Sequence, residues 1–226
     1  MSNVVYPIAL ELSGKRCLVV GGGVIADGKL DALLAAGARI TLVSPGALPR
    51  IAACAADGQI DWRCRPYEPA DLDGAFLVIA ATDDRAVNAQ VAAEARARGI
   101  LVNAVDDIPN CDFFAVAIVR RGDLQLAIST NGRSPAFARW LRERLDREIP
   151  AEYGDLLAVL GDVRDRLKER GPIPAYEAWR DAIDDAPLAA LRAGDREAAS
   201  ERLMRRLDAT PVAAGAAAIP AEGEPR

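Results

Sequence analysis

The stretch RCLVVGGGVIADGK, Arg16 to Lys29, decides the fold. A short β-rich run, Arg16 to Val20, stops at three glycines, and residues with helical spacing follow from Val24 to Ala36. Between them, Gly21-x-Gly23-x-x-Ala26 has the spacing of a dinucleotide-binding turn. The first glycine permits the tight turn. The second lets backbone approach a pyrophosphate, and the small third residue lets helix and strand pack closely. The first turn of such a helix carries unpaired amides and a partial positive charge. Gly21, Gly22, Gly23, Val24 and Ile25 are therefore candidate cofactor contacts.

The same alternation continues outward. Arg39 to Val43 is strand-like and ends at Ser44-Pro45-Gly46. A helix is expected near Leu48 to Asp57, a third strand over Ile60 to Cys64, and a fully buried strand in the apolar run Phe76 to Ala81. Asp84 to Arg98 reads as helix and Ile100 to Val105 as the next strand. This repetition predicts an α/β, Rossmann-like domain with a parallel sheet over residues 1–113. In such a sheet the strand ends open on one crevice. Ser44, Pro45 and Gly46 are expected at the adenosine ribose, and Thr82 and Asp83 on the nicotinamide side. Thr82 or Asp83 also suits the cap of the helix near Asp84. The usual acid at the second strand end is missing, and Arg39 and Arg50 are the nearest basic residues. NAD is the expected cofactor.

After Asp112 the pattern changes. Ala115 to Val119 and Leu124 to Ser129 read as a hairpin turning at Arg120-Arg121-Gly122-Asp123. Ser134 and Pro135 suit the N-cap and first position of a helix. Residues 114–149 form a small α+β region for dimerisation and substrate binding, and residues 150–208 a helical domain, with breaks near Gly171-Pro172 and Asp185 to Pro187. The Ala-, Pro- and Gly-rich tail 209–226 has no periodic apolar face and is expected to be disordered.

Composition excludes several classes. The net charge of −5 argues against nucleic acid as partner, since phosphate binding needs a basic field. There is no histidine, and Cys17, Cys54, Cys64 and Cys111 match no zinc pattern, so no metal site is expected. No stretch approaches the ~20 apolar residues of a membrane span. Neither a signal peptide nor an anchor is expected at the N-terminus, and the protein is expected to be cytoplasmic with reduced thiols.

Two features carry chemistry. The strand Ile100 to Val105 ends on Asp106 and Asp107, at the mouth of the crevice. Asp106 is the candidate catalytic acid or base, and Asp107 the candidate turn residue before Ile108-Pro109. Between Phe114 and Arg147 stand seven arginines against three acids. There Asn131, Gly132, Arg133 and Ser134 form a polar loop at a helix N-terminus, an anion site with a guanidinium beside it. With Arg120 and Arg121 it would suit a substrate bearing several carboxylates.

The order of these motifs resembles one family. Tyr6-Pro7-Ile8, Cys17 to Gly23, Ile79 to Asp84, Val102 to Asp106, Cys111-Asp112-Phe113, Arg120-Arg121-Gly122 and Ile128 to Pro135 look like the bifunctional precorrin-2 dehydrogenase / sirohydrochlorin ferrochelatase family, the NAD-binding module of siroheme synthase. The resemblance implies NAD-dependent oxidation of precorrin-2 to sirohydrochlorin, with ferrous iron then inserted as substrate to give siroheme. It implies a homodimer packed or exchanged through Phe114 to Arg147, and it places the family's catalytic carboxylate at Asp106. A uroporphyrinogen methyltransferase module is expected to be absent, with precorrin-2 supplied by another protein. The sequence departs from the pattern at Gly28, before Lys29, and at Thr130. Three alternatives stay open: a dehydrogenase without chelatase activity, a dehydrogenase of another tetrapyrrole, and a non-enzymatic NAD-sensing domain. The last would have no use for the basic loop.

Overall fold

A computed structural model of the chain describes residues 5–208. The Ala-, Pro- and Gly-rich segment 209–226 lies outside the described residues. The chain divides into two compact units that meet at Ala115 and Val116.

The first unit is a five-stranded parallel sheet. Its elements are β1 (Arg16–Val20), α1 (Val24–Ala35), β2 (Arg39–Val43), α2 (Pro49–Ala56), β3 (Asp61–Arg63), β4 (Leu77–Ala80), α3 (Arg85–Ala97) and β5 (Leu101–Ala104). The strand order is β3-β2-β1-β4-β5. Val20 at the end of β1 stands opposite Val43 of β2 and Ala80 of β4. The chain therefore reverses its winding beside β1, and the carboxyl ends of β2, β1 and β4 share one edge.

Alternation along β1 builds both core layers. Cys17 and Val19 pack with Leu30, Leu42 and Ile51 on one face. Leu18 and Val20 pack with Leu72, Val78 and Val91 on the other. A strand covered on both faces favours apolar residues throughout, which is why β4 reads LVIA and is buried along its length. Each fully buried aliphatic side chain contributes about 1.5–3 kcal/mol. Burial also pushes the Cys17 thiol up to about 11.

One boundary residue differs from expectation. Asp84, rather than Thr82 or Asp83, caps α3, accepting from the Ala86 and Val87 amides at 2.8 and 3.3 Å. The Thr82 side chain is instead held by Asn88.

The second unit starts with the hairpin β6 (Ala117–Arg121) and β7 (Leu124–Ile128). Its turn is Gly122-Asp123, with Gly122 at φ 55°, so Arg120 and Arg121 lie in the strand and not in the turn. Helix α4 (Pro135–Glu148) follows, capped by Ser134 as expected. Then come α5 (Glu152–Arg170), α6 (Tyr176–Ala182), α7 (Asp185–Arg192) and α8 (Arg196–Asp208). The break expected at Asp185 to Pro187 falls earlier. Asp184 caps α7, and Pro187 sits in its first turn, where a missing amide costs nothing. An unexpected break occurs at Gly194, whose φ of 78° ends α7. Leu156, Val159, Val163 and Leu167 form a helical stripe on α5 that buries against α7 and α8. No helix among the described residues is long and apolar enough to cross a membrane.

Candidate functional site

The glycine loop, the end of β2 and the end of β4 enclose a crevice of about 420 Å³. Gly21, Gly22, Gly23, Ser44, Pro45, Gly46, Thr82 and Asp83 all line it. The three loop glycines serve different ends. Gly21 has φ 118°, and a Cβ there would lie 2.3 Å from the Ala81 carbonyl oxygen. A Cβ on Gly22 would lie 2.2 Å from the Gly46 oxygen, so at this variable position of the pattern the glycine loop touches the loop after β2. At Gly23 a Cβ would meet nothing within 4 Å. Gly23 caps α1 without a side-chain bond, so no cap takes the first amides of the helix. Val24 and Ile25 stand exposed on that first turn. Ala26 is fully buried, as close helix–strand packing requires. This is a cradle for a pyrophosphate, and the residues present fit a dinucleotide.

The basic groups near the second strand end are spent. Arg50 pairs with Asp27 at 2.7 Å and also with Asp31. Arg39 opens β2, at the edge of the sheet opposite the crevice, and donates to the Gly14 carbonyl. Arg63 and Arg65 both bind the fully buried Asp71, at 2.9 and 2.7 Å. Burial alone would raise the Asp71 carboxyl. The hydrogen bonds from Arg65, the Glu68 amide and Arg63 outweigh it and hold its pKa at about 2. Ser44 donates its hydroxyl to the Gly46 carbonyl at 2.7 Å, which keeps the oxygen's lone pairs for a ribose hydroxyl.

On the other side of β1, the loop after β4 is set by Asn88 of α3. Its side-chain nitrogen donates to the Thr82 carbonyl at 2.9 Å, and its oxygen accepts from the Thr82 amide and hydroxyl. Val87-Asn88 is also among the stretches that resemble the family, and the structure shows why an asparagine there matters: Asn88 is buried in the helix and fixes this loop.

Asp106 lies just past β5, at the same sheet edge. It is exposed, and its backbone is left-handed, with φ 60°. The loop that carries it is closed by residues of two separate motifs. Asn103 donates to the Phe113 carbonyl at 2.8 Å. The Cys111 thiol donates to the Ala104 carbonyl at 3.0 Å, and burial raises its pKa. The Asp112 amide donates to the Val102 carbonyl at 2.7 Å. Asp107 caps the short turn at Ile108–Asn110, as its position before Ile108-Pro109 suggested.

In the second unit, the expected anion contacts are split. Asn131 and Gly132 have φ of 50° and 72°, and Ser134 accepts from the Phe137 amide at 3.2 Å. Arg133 is exposed, and no carboxylate pairs with it among the described residues. Arg120 and Arg121 lie at the turn end of the hairpin, while this loop follows its other end. Four residues of strand, roughly 14 Å, separate the two. The structure also gives Arg121 another task. Its guanidinium donates to the Ile149 carbonyl and to Asp146, closing the end of α4. Gly154 of α5 packs against its backbone, where a Cβ would lie 2.6 Å from the Arg121 oxygen. Arg121 thus holds the end of α4, and Arg120 is the more exposed of the pair. Among the described residues, no group of three or more acidic or cysteine side chains could hold a metal ion.

Comparison with known proteins agrees with this geometry. Residues 8–117 match a family described as putative NAD(P)-binding, and residues 121–148 match one described as sirohaem biosynthesis protein, central. A siroheme synthase of Chromobacterium violaceum is 42% identical over 206 residues, which are 90% of this chain and 44% of that protein. Siroheme synthase 1 of Aeromonas salmonicida is 46% identical over 164 residues, 73% of this chain and 35% of that protein. The chain thus spans less than half the length of these curated relatives. The solved structure of SirC, a precorrin-2 dehydrogenase, superposes with a TM-score of 0.71 at 29% identity, over 89% of this chain and all of that one. The dinucleotide cradle, the sirohaem-biosynthesis match that follows it in sequence and the superposition over 89% of its length make this chain similar to the precorrin-2 dehydrogenase SirC and, over the part it spans, to the siroheme synthases.

Proposed function

We propose that the protein oxidises precorrin-2 to sirohydrochlorin with NAD, and then inserts ferrous iron to give siroheme. The observation that carries this is Asp106, a carboxylate just past the carboxyl end of β5, on the sheet edge where the crevice opens, in a backbone conformation that residues other than glycine rarely adopt. Bound NAD supplies a hydride acceptor. The chain's own residues do the rest. The amides of Gly23, Val24 and Ile25 hold the pyrophosphate, Ser44 to Gly46 the adenosine ribose, and the Thr82-Asp83 loop the nicotinamide side. Asp106 takes the proton that leaves the macrocycle as its hydride leaves. In the second reaction the same carboxylate takes pyrrole N–H protons as ferrous iron, a substrate, enters. Arg133 and Arg120 face substrate carboxylates.

NAD rather than NADP is favoured because the arginines nearest the ribose are paired with Asp27, Asp31 and Asp71. A homodimer through Phe114 to Arg147 is favoured by two features. The hairpin strands pair only with each other among the described residues, and the stacked Phe137 and Trp140 are half exposed on α4. A cytoplasmic location fits four free cysteines.

The test assays Asp106→Ala and Asp107→Ala with precorrin-2 and NAD, and separately with sirohydrochlorin and ferrous iron. Asp106→Ala should lower kcat by ~10²–10⁴-fold, the usual worth of a positioned acid or base. If it keeps both activities while Asp107→Ala loses them, the assignment is wrong. Wild-type oxidation without iron insertion selects the dehydrogenase-only alternative. Binding of NAD with no binding of a tetrapyrrole selects the sensor.

A further inference from the structure

We propose that Arg96 is a positioning residue for Asp106: it locks the loop that holds this carboxylate in its left-handed conformation. The inference rests on the catalytic role given to Asp106 above.

A non-glycine residue at φ 60° persists only where its surroundings leave the backbone no easier choice. The inner side of the Asp106 loop is fixed by β5, through Asn103, Cys111 and the Asp112 amide. The outer side has one clamp, in the last turn of α3. Arg96 Nε donates to Asp112 Oδ1 at 3.0 Å, Nη1 to Asn110 Oδ1 at 3.2 Å, and Nη2 to the Pro109 carbonyl at 3.0 Å. One planar guanidinium thus spans four consecutive positions of the loop. Each partner passes the restraint on. Asp112 Oδ2 accepts from the Val102 amide at 3.2 Å, which ties the clamp to the sheet. Asn110 Nδ2 donates to Asp107 Oδ2 at 2.7 Å, which ties it to the residue next to Asp106. The Asp107 amide donates to the Ala104 carbonyl at 3.2 Å and closes the turn around Asp106 itself.

The clamp is poorly suited to a purely stabilising role. Arg96 and Asp112 are 37% and 30% exposed at their side chains, and pairs near the surface add little to global stability. Its strength lies in geometry, since three acceptors are held by one fork that an ammonium cannot copy.

The full chain is tested as Arg96→Ala, Arg96→Lys, Asp106→Asn and Arg96→Ala/Asp106→Asn. Arg96→Ala should lower kcat for precorrin-2 oxidation about 10-fold while KM and the NAD Kd stay within about twofold of wild type. Arg96→Lys keeps the charge and should recover only part of the loss. Amides of residues 105–113 should exchange with solvent faster in Arg96→Ala, and those of the glycine loop should not. In the Asp106→Asn background, Arg96→Ala should cause no further fall in kcat. A wild-type kcat in Arg96→Ala overturns the proposal, as does a loss that multiplies with that of Asp106→Asn. If Asp106→Asn itself keeps wild-type kcat, the catalytic assignment fails, and unchanged exchange over 105–113 would then reject the lock as well.

Discussion

Helices α1 and α4 both begin at a glycine-containing loop, and they begin in opposite ways. The α1 terminus is open. Gly23 caps it with no side-chain bond, and space surrounds the position of a Cβ. The α4 terminus is closed. Ser134 Oγ caps the Phe137 amide, and Thr130 Oγ1 bonds to both the amide and the carbonyl of Ser134. An uncapped terminus keeps its amides for a ligand, whereas a capped one has given an amide to its own chain. At α1, then, backbone does the binding, and side chains matter through the room they leave. At α4 the cap fixes the loop's shape, and the guanidinium of Arg133 stays exposed, as the proposed contact with substrate carboxylates requires.

The sharpest way to break this contrast is Gly23→Ser. The backbone there is extended, with φ −87° and ψ −171°, and accepts serine without strain. The new hydroxyl would cap α1 as Ser134 caps α4. The chain without NAD should gain a few tenths of a kcal/mol. NAD should bind ~30-fold more weakly, because the side chain fills the cradle and takes an amide. Calorimetric titration checks this, and an unchanged affinity would show that Gly23 does not face the cofactor.

A smaller effect is expected at the other loop. Arg133→Ala should raise KM for the tetrapyrrole ~10-fold, the loss of one charge-assisted hydrogen bond. Its kcat and NAD affinity should stay near wild type in steady-state kinetics. Equal loss of NAD affinity would mean that the two loops do not divide the work. The smallest effect tests the cap alone. Ser134→Ala should cost about 1 kcal/mol in denaturant unfolding, with no change in the NAD Kd.

Much of the first unit was legible in the sequence. Strands β1, β2, β4 and β5 fall on short, mostly apolar runs between turn residues, because a strand covered on both faces favours apolar side chains; Thr41 and Asn103 are the buried polar exceptions. The second unit was harder. Arg120 and Arg121 looked like turn residues because they are charged, yet they belong to a strand with an exposed face. Pro187 looked like a helix break, yet it stands in a first turn, where proline is tolerated.

The sequence by itself determined the glycine spacing, the Ser134 cap and the acid at the end of β5. Those follow from local sterics and from periodicities that neighbouring residues carry. Only tertiary structure decided the rest. It put Gly22 against Gly46, turned Arg121 toward the end of α4, and brought Arg96, Asn110 and Asp112 around the loop of Asp106. These roles depend on which distant segments meet, and a hydrogen bond between residues many positions apart leaves no pattern in the order of either one.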